Sequence, residues 1–136
     1  MIRMEPDQRG QSVSLFVLMI IGALIMTAGL VIDGGQKIAA VSRAETAAAG
    51  ASRAAGNAAA TLELGGANPV AAAITAGRAY LAGQPGVTGS VAVIGGVVTV
   101  QTSASEPTIF LSAIGIEHLT GHGSAQANLV PSGQNR

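Results

Sequence analysis

The 136-residue chain has no cysteine and no tryptophan, and its only aromatic side chains are Phe16, Tyr80 and Phe110. Without cysteine there is no disulfide framework, no thiolate nucleophile and no zinc–cysteine site. With so few aromatics, any soluble core must be built from valine, isoleucine, leucine and alanine. Charge is equally scarce: charged residues make up 10% of the chain and cancel to zero. That balance argues against a nucleic-acid partner and against strong electrostatic steering. Constellations that carry chemistry are missing too. There is no Gly-x-Ser-x-Gly elbow, no phosphate loop and no close carboxylate pair, so no enzyme activity, cofactor or small-molecule substrate is expected. His118 and His122 lie four apart in an alternating stretch and share one strand face. Glu117 points the other way, and two imidazoles lacking a third ligand read as solvent-facing strand residues. A metal-dependent hydrolase built on them is a remote option.

What the sequence does have is one long uncharged run. No residue between Arg9 and Asp33 is charged, and Val13–Ile32 reads VSLFVLMIIGALIMTAGLVI. A helix of ~20 residues rises ~30 Å, the hydrocarbon thickness of a bilayer. Ser14 and Thr27 can bond back to helix carbonyls. A secretory signal has a shorter apolar core, ~7–15 residues, followed by a small-residue cleavage site. A permanent span is the better reading. Gly22 and Gly29 are seven apart and share one face of it, where small residues allow close helix contact in lipid. Arg3, Arg9 and the amino terminus precede the run; Lys37 and Arg43 follow it. The positive-inside rule leans towards a cytoplasmic amino terminus and an extracytoplasmic remainder.

Residues 1–11 read as a leader, with Pro6 and Gly10 opposing helix. From Ile38 to Leu64 the chain is alanine-rich and proline-free. Alanine is the best helix former, so residues 12–64 are expected to form one element, transmembrane over 13–32 and then a stalk. Asp33 and Lys37 are placed to pair at i,i+4. Asp33, Gly34 and Gly35 mark the membrane exit, with the two glycines as hinge, since an interior glycine costs ~1 kcal/mol against alanine. Ala40, Ala44, Ala47, Ala51, Ala54 and Ala58 recur at three- and four-residue steps, a seam suited to packing on a sister helix. The bland alternative is that this seam merely reflects composition.

Leu64-Gly65-Gly66 ends the stalk, and 65–68 is a linker. Asn68-Pro69 opens a second helix as N-cap and first helical residue, with Val70, Ile74, Gly77 and Leu81 on its apolar face, and Gly83 closes it. The period then drops to 2. Ser90–Ile94 and Val97–Gln101 flank Gly95-Gly96, which reads as a two-residue hairpin turn. That turn pairs Ile94 with Val97, Val93 with Val98 and Val91 with Val100, placing Val91, Val93, Val98 and Val100 on one face. Ser105-Glu106-Pro107 is expected to open a short helix, TIFLSAIG. A last strand follows whose inward positions, Leu119, Gly121, Gly123, Ala125, Ala127 and Leu129, are mostly very small and suit a strand lying on a helix. The fold class expected is α+β: a long helix, then over 69–130 a small extracytoplasmic domain with a three-stranded antiparallel sheet, and a flexible tail at 131–136. A domain of ~65 residues is marginal alone and needs the stalk or partner subunits to complete it.

Arg9-Gly10-Gln11-Ser12-Val13-Ser14-Leu15-Phe16, with the exit Gly29-Leu30-Val31-Ile32-Asp33-Gly34-Gly35 and the alanine-rich stretch RAETAAAGASRAA, resembles the amino-terminal region of TadE/TadG-like proteins. These belong to the tight-adherence (Flp) branch of the type IV pilus machinery. The resemblance implies a pilin-like, single-span inner-membrane component of pilus assembly or secretion. It would be non-enzymatic, in contact with lipid and with other pilus-assembly or pseudopilin subunits, and would act by helix packing. It also implies Gly10-Gln11 as a prepilin-peptidase processing site. Processed pilins carry Glu five residues after the cut, where this chain has Leu15, so a processed and a permanently anchored form both stay open. The competing reading is an unrelated single-span, membrane-anchored extracytoplasmic binding module.

Overall fold

Alanine and larger aliphatic residues, uninterrupted by proline, carry a single α-helix, α1, from Arg9 to Glu63. At 1.5 Å per residue it is ~80 Å long. The computed structural model describes residues 9–63 and 68–129, with side chains described from Ser12 to Leu62 in α1. Of the leader expected over 1–11, residues 9–11 already belong to α1, while 1–8, the helix end and linker at 64–67 and the tail at 131–136 lie outside the described residues. A second helix, α2, spans Pro69–Ala82; Asn68 caps it by accepting the Val70 N–H at 3.0 Å. Three strands follow, β1 Val87–Ile94, β2 Val97–Pro107 and β3 His118–Asn128. They form an antiparallel sheet in the order β1-β2-β3.

Across the first hairpin Ile94 faces Val97, Val93 faces Val98 and Val91 faces Val100. This is the register that a two-residue turn at Gly95-Gly96 requires, and both glycines have positive φ, 58° and 79°. The strands run further than the β-branched stretches alone suggest. β2 continues through Pro107, and only Leu111–Ile114 forms a short 3-10 helix. The helix expected over TIFLSAIG is therefore mostly a loop, because the Thr108 N–H bonds across to Glu117 at the end of the sheet and the Ile109 N–H is taken by the Asp33 carboxylate.

β3 and β2 lie along α1, and β1 lies along α2. The core joins Ala47, Ala48, Ala51, Ala55 and Ala59 of α1 to Ala73 and Leu81 of α2, Val91, Val98 and Val100 of the sheet, and Leu129. The alanine seam is thus covered by the chain's own domain. Its buried members are Ala40, Ala44, Ala47, Ala48, Ala51, Ala55 and Ala59. Ala54 and Ala58, expected in the seam, are only half-buried. The contact stripe runs one residue later there, and Ser52 is buried and donates to the Ala49 carbonyl at 3.0 Å. On α2 the buried face is Ala73, Gly77 and Leu81. Val70, expected with them, is exposed.

Glycine allows the close approach that this packing needs. A Cβ on Gly121 would lie 2.2 Å from the Val41 nitrogen, and one on Gly123 would lie 2.4 Å from the Ala44 carbonyl carbon. Two strand residues rise about 6.6 Å, a little more than one helical turn of 5.4 Å. The inward positions of β3 therefore meet α1 at steps of about four residues, 40–41 and then 44–45. Further up, Ala127 meets Gly56. This run gives the sheet a direction. β3 climbs α1 away from the apolar segment, so the β2–β3 loop sits at the segment's end and the Gly95-Gly96 turn at the far end.

Candidate functional site

Among the described residues, one helix is long and apolar enough to cross a membrane. Its apolar segment stands clear of the domain: Phe16, Leu18, Met19, Leu24, Met26 and Leu30 are all well exposed. Gly10 and Gln11 fall in the first turn of α1. Gly22 has open space around it, whereas Gly29 is buried beneath the ring of Phe110. The two glycines expected on one packing face therefore have different surroundings. Gly29 is taken up within the chain and Gly22 faces outward.

The junction of segment and domain is built around Asp33, whose solvent exposure is 0%. Its carboxylate accepts the backbone N–H groups of Ile109 at 2.8 Å, Phe110 at 3.1 Å and Leu111 at 2.6 Å. Three consecutive N–H groups that open a 3-10 turn have no partners within the turn, so a carboxylate is a natural acceptor. Burial raises the Asp33 pKa, and the N–H bonds from Ile109, Leu111 and Phe110 outweigh it, leaving the carboxyl below its ordinary value. The cover over this group is one loop thick. Lys37, expected to pair with Asp33, instead donates to the Thr120 carbonyl on β3. Two groups one turn apart thus hold the β2–β3 loop and β3 itself.

Thr108 closes the neck of the same loop. Its N–H donates to the Glu117 carbonyl at 2.9 Å and its hydroxyl to that of Ile116. Inside the loop, Ala113 donates to Phe110, Gly115 to Ser112 and Ile116 to Leu111, all at 3.0–3.1 Å. Gly115, at φ 88°, makes the left-handed exit. Two turns further along α1, Arg43 donates to the Pro85 carbonyl at 2.6 Å and pairs with Glu106, joining the α2–β1 turn to the end of β2.

Gly34 and Gly35, expected as a hinge, lie within continuous α1 with open space beside each. His118 and His122 are exposed on β3. Among the described residues no group of three histidine, cysteine or carboxylate side chains could hold a metal. Sequence reasoning missed the Asp33 acceptor and Phe110's place on Gly29. The available signals were a glycine one turn before a lone acid, and a charge-free run from Pro107 to Ile116.

No curated protein and no solved structure matches the chain. Residues 10–60 match a family model described as putative Flp pilus-assembly TadE/G-like. The match begins at the first turn of α1, takes in the apolar segment and Asp33, and runs to the last buried alanines. The helix that carries both the apolar segment and one wall of the domain core is thus the part of the chain that is similar to the TadE/G-like Flp pilus-assembly family.

Proposed function

We propose that this protein is a non-enzymatic, membrane-anchored component of Flp-type pilus assembly that works through contacts with lipid and with other pilus-assembly or pseudopilin subunits. Val13–Ile32 holds it in the inner membrane, with its amino terminus in the cytoplasm and the sheet domain outside. The observation that carries this reading is a coincidence of position: the family match over 10–60 falls on the helix that, among the described residues, is long and apolar enough to span. The alanine seam is occupied by the chain's own sheet and α2, so sister-helix packing falls to the span, around Gly22. Docking falls to the solvent side of the sheet, where Thr120, His122, Ser124 and Gln126 are exposed.

A photo-crosslinking residue placed at position 22 in living cells tests the reading. The expected product is an adduct with another pilus-assembly subunit, identified by mass, together with loss of surface fibres when the chain is deleted. Recovery of the protein in the soluble fraction without detergent, with fibres intact in the deletion strain, refutes it. The chain contains no cysteine, so Ser90→Cys with an impermeant thiol reagent reads orientation against no background. Mass analysis of the extracted protein separates a chain beginning at Gln11, processed after Gly10, from one retaining Met1.

A further inference from the structure

We propose that the loop from Thr108 to Ile116 is a second membrane contact, a wedge seated in the leaflet on the domain's side. This rests on the reading of Val13–Ile32 as a span. Between Glu106 and Glu117 the chain carries no charge and reads PTIFLSAIGI. Ile109, Ile114 and Ile116 point outward, Ile114 with 73% of its surface exposed. An isolated exposed isoleucine is ordinary, but a cluster on one loop marks a contact surface.

Two observations identify the occupant as lipid. The first is continuity. Phe110 lies on Gly29, four residues before Asp33 and so ~6 Å further down the helix axis. The loop therefore reaches the level of the last turns of the span, where Met26, Leu30 and Ile32 are exposed. A depth of ~5–10 Å is that of apolar groups held at the headgroup–acyl boundary. The second is backbone satisfaction. Irregular backbone is tolerated at membrane depth only where its polar groups find partners within the protein. Here the N–H groups of Thr108, Ile109, Phe110, Leu111, Ala113, Gly115 and Ile116 all have such partners, three of them at Asp33. A loop built to face water has no need of a buried carboxylate for this.

The chain contains no tryptophan, so single tryptophans report depth without background. The full chain is reconstituted in phosphatidylcholine–phosphatidylglycerol vesicles containing lipids brominated at defined acyl positions. Four variants are compared: Ile114→Trp and Ile116→Trp in the loop, Ile20→Trp in the span and Ile94→Trp at the hairpin tip. The proposal expects both loop tryptophans to emit at blue-shifted wavelengths and to be quenched most by bromine near the headgroup. It expects Ile20→Trp to be quenched most by deep bromine and Ile94→Trp not at all. Loop tryptophans that emit as in water while Ile20→Trp is quenched overturn the wedge and leave the span standing. Blue-shifted loop emission without bromine quenching also overturns it, since a protein surface then covers the loop. An unquenched Ile20→Trp overturns the span and the wedge together.

Discussion

Replacing Gly123 by alanine puts the packing of sheet on helix to a direct test. The added methyl would lie 2.4 Å from both the Ala44 carbonyl carbon and the Glu45 nitrogen. Ordinary contact is about 3.4–4 Å, and the obstacle is helix backbone that has no rotamer to change. β3 must therefore move off α1 by ~1 Å, an overpacking strain of ~1–3 kcal/mol. The displacement also reaches Thr102, paired with Gly123 in the sheet, whose buried hydroxyl donates to the Ala44 carbonyl at 2.6 Å. Loss of that bond adds ~1 kcal/mol, moderated because the hydroxyl keeps the Gly123 carbonyl within reach. The total, ~2–4 kcal/mol, corresponds to a fall in Tm of roughly 10–25 °C for a domain of this size. Tyr80, the only tyrosine, packs against Gly50 of α1 and reports α1–α2 packing of the detergent-solubilised chain by near-ultraviolet circular dichroism or fluorescence. Ser124→Ala, on the opposite face of the same strand, serves as control and is expected within ~0.5 kcal/mol of the parent. If Gly123→Ala behaves like the control, β3 does not rest on the helix backbone and the packing described here is wrong.

Gly34→Ala and Gly35→Ala are each expected to stabilise α1 by ~0.5–1 kcal/mol, since both sites are helical with room for a methyl. A loss of fibre assembly at unchanged or higher Tm would restore the hinge. Asp33→Asn is expected to free residues 108–117 to faster amide exchange at neutral pH while β2 and β3 stay protected, as read by hydrogen-exchange mass spectrometry. The folded carboxyl has the lower pKa, so its contribution is complete above the ordinary aspartate pKa and fades as pH falls through the lowered value. The parent should therefore approach the variant only in acid. Asn68→Ala removes the cap on α2 and is expected to cost ~1 kcal/mol, seen as a lower denaturant midpoint with unchanged slope.

The parts of this architecture legible in the sequence are those whose signal is local. The register of β1 on β2 follows from two glycines between alternating valines, and the start of α2 from Asn68-Pro69. The inward face of β3 was legible as small, and it seats on α1 because of that. The stripe of α1 that it covers was not, because where nearly every residue is alanine the faces differ little in polarity. Ala55 and Ala59 rather than Ala54 and Ala58 are buried because Val98, Val100 and Leu129 reach them. At the end of the apolar segment, Asp33 could be placed by its position, but its partners lie 76–78 residues away, and no periodicity spans that distance. A lone acid after an apolar run and an uncharged loop late in the chain each look unremarkable until the sheet brings them together.

Gly34 and Gly35 being wound into an unbroken α1 has a mechanical consequence. The domain has no swivel between it and the apolar segment, so any roll of that segment turns the sheet through the same angle. A neighbour that shifts its grip by one helical position rotates the shaft by ~100° and swings the Gly95-Gly96 tip to a new bearing. Such a rod can convey torque from the apolar segment to the sheet, which a floppy tether cannot.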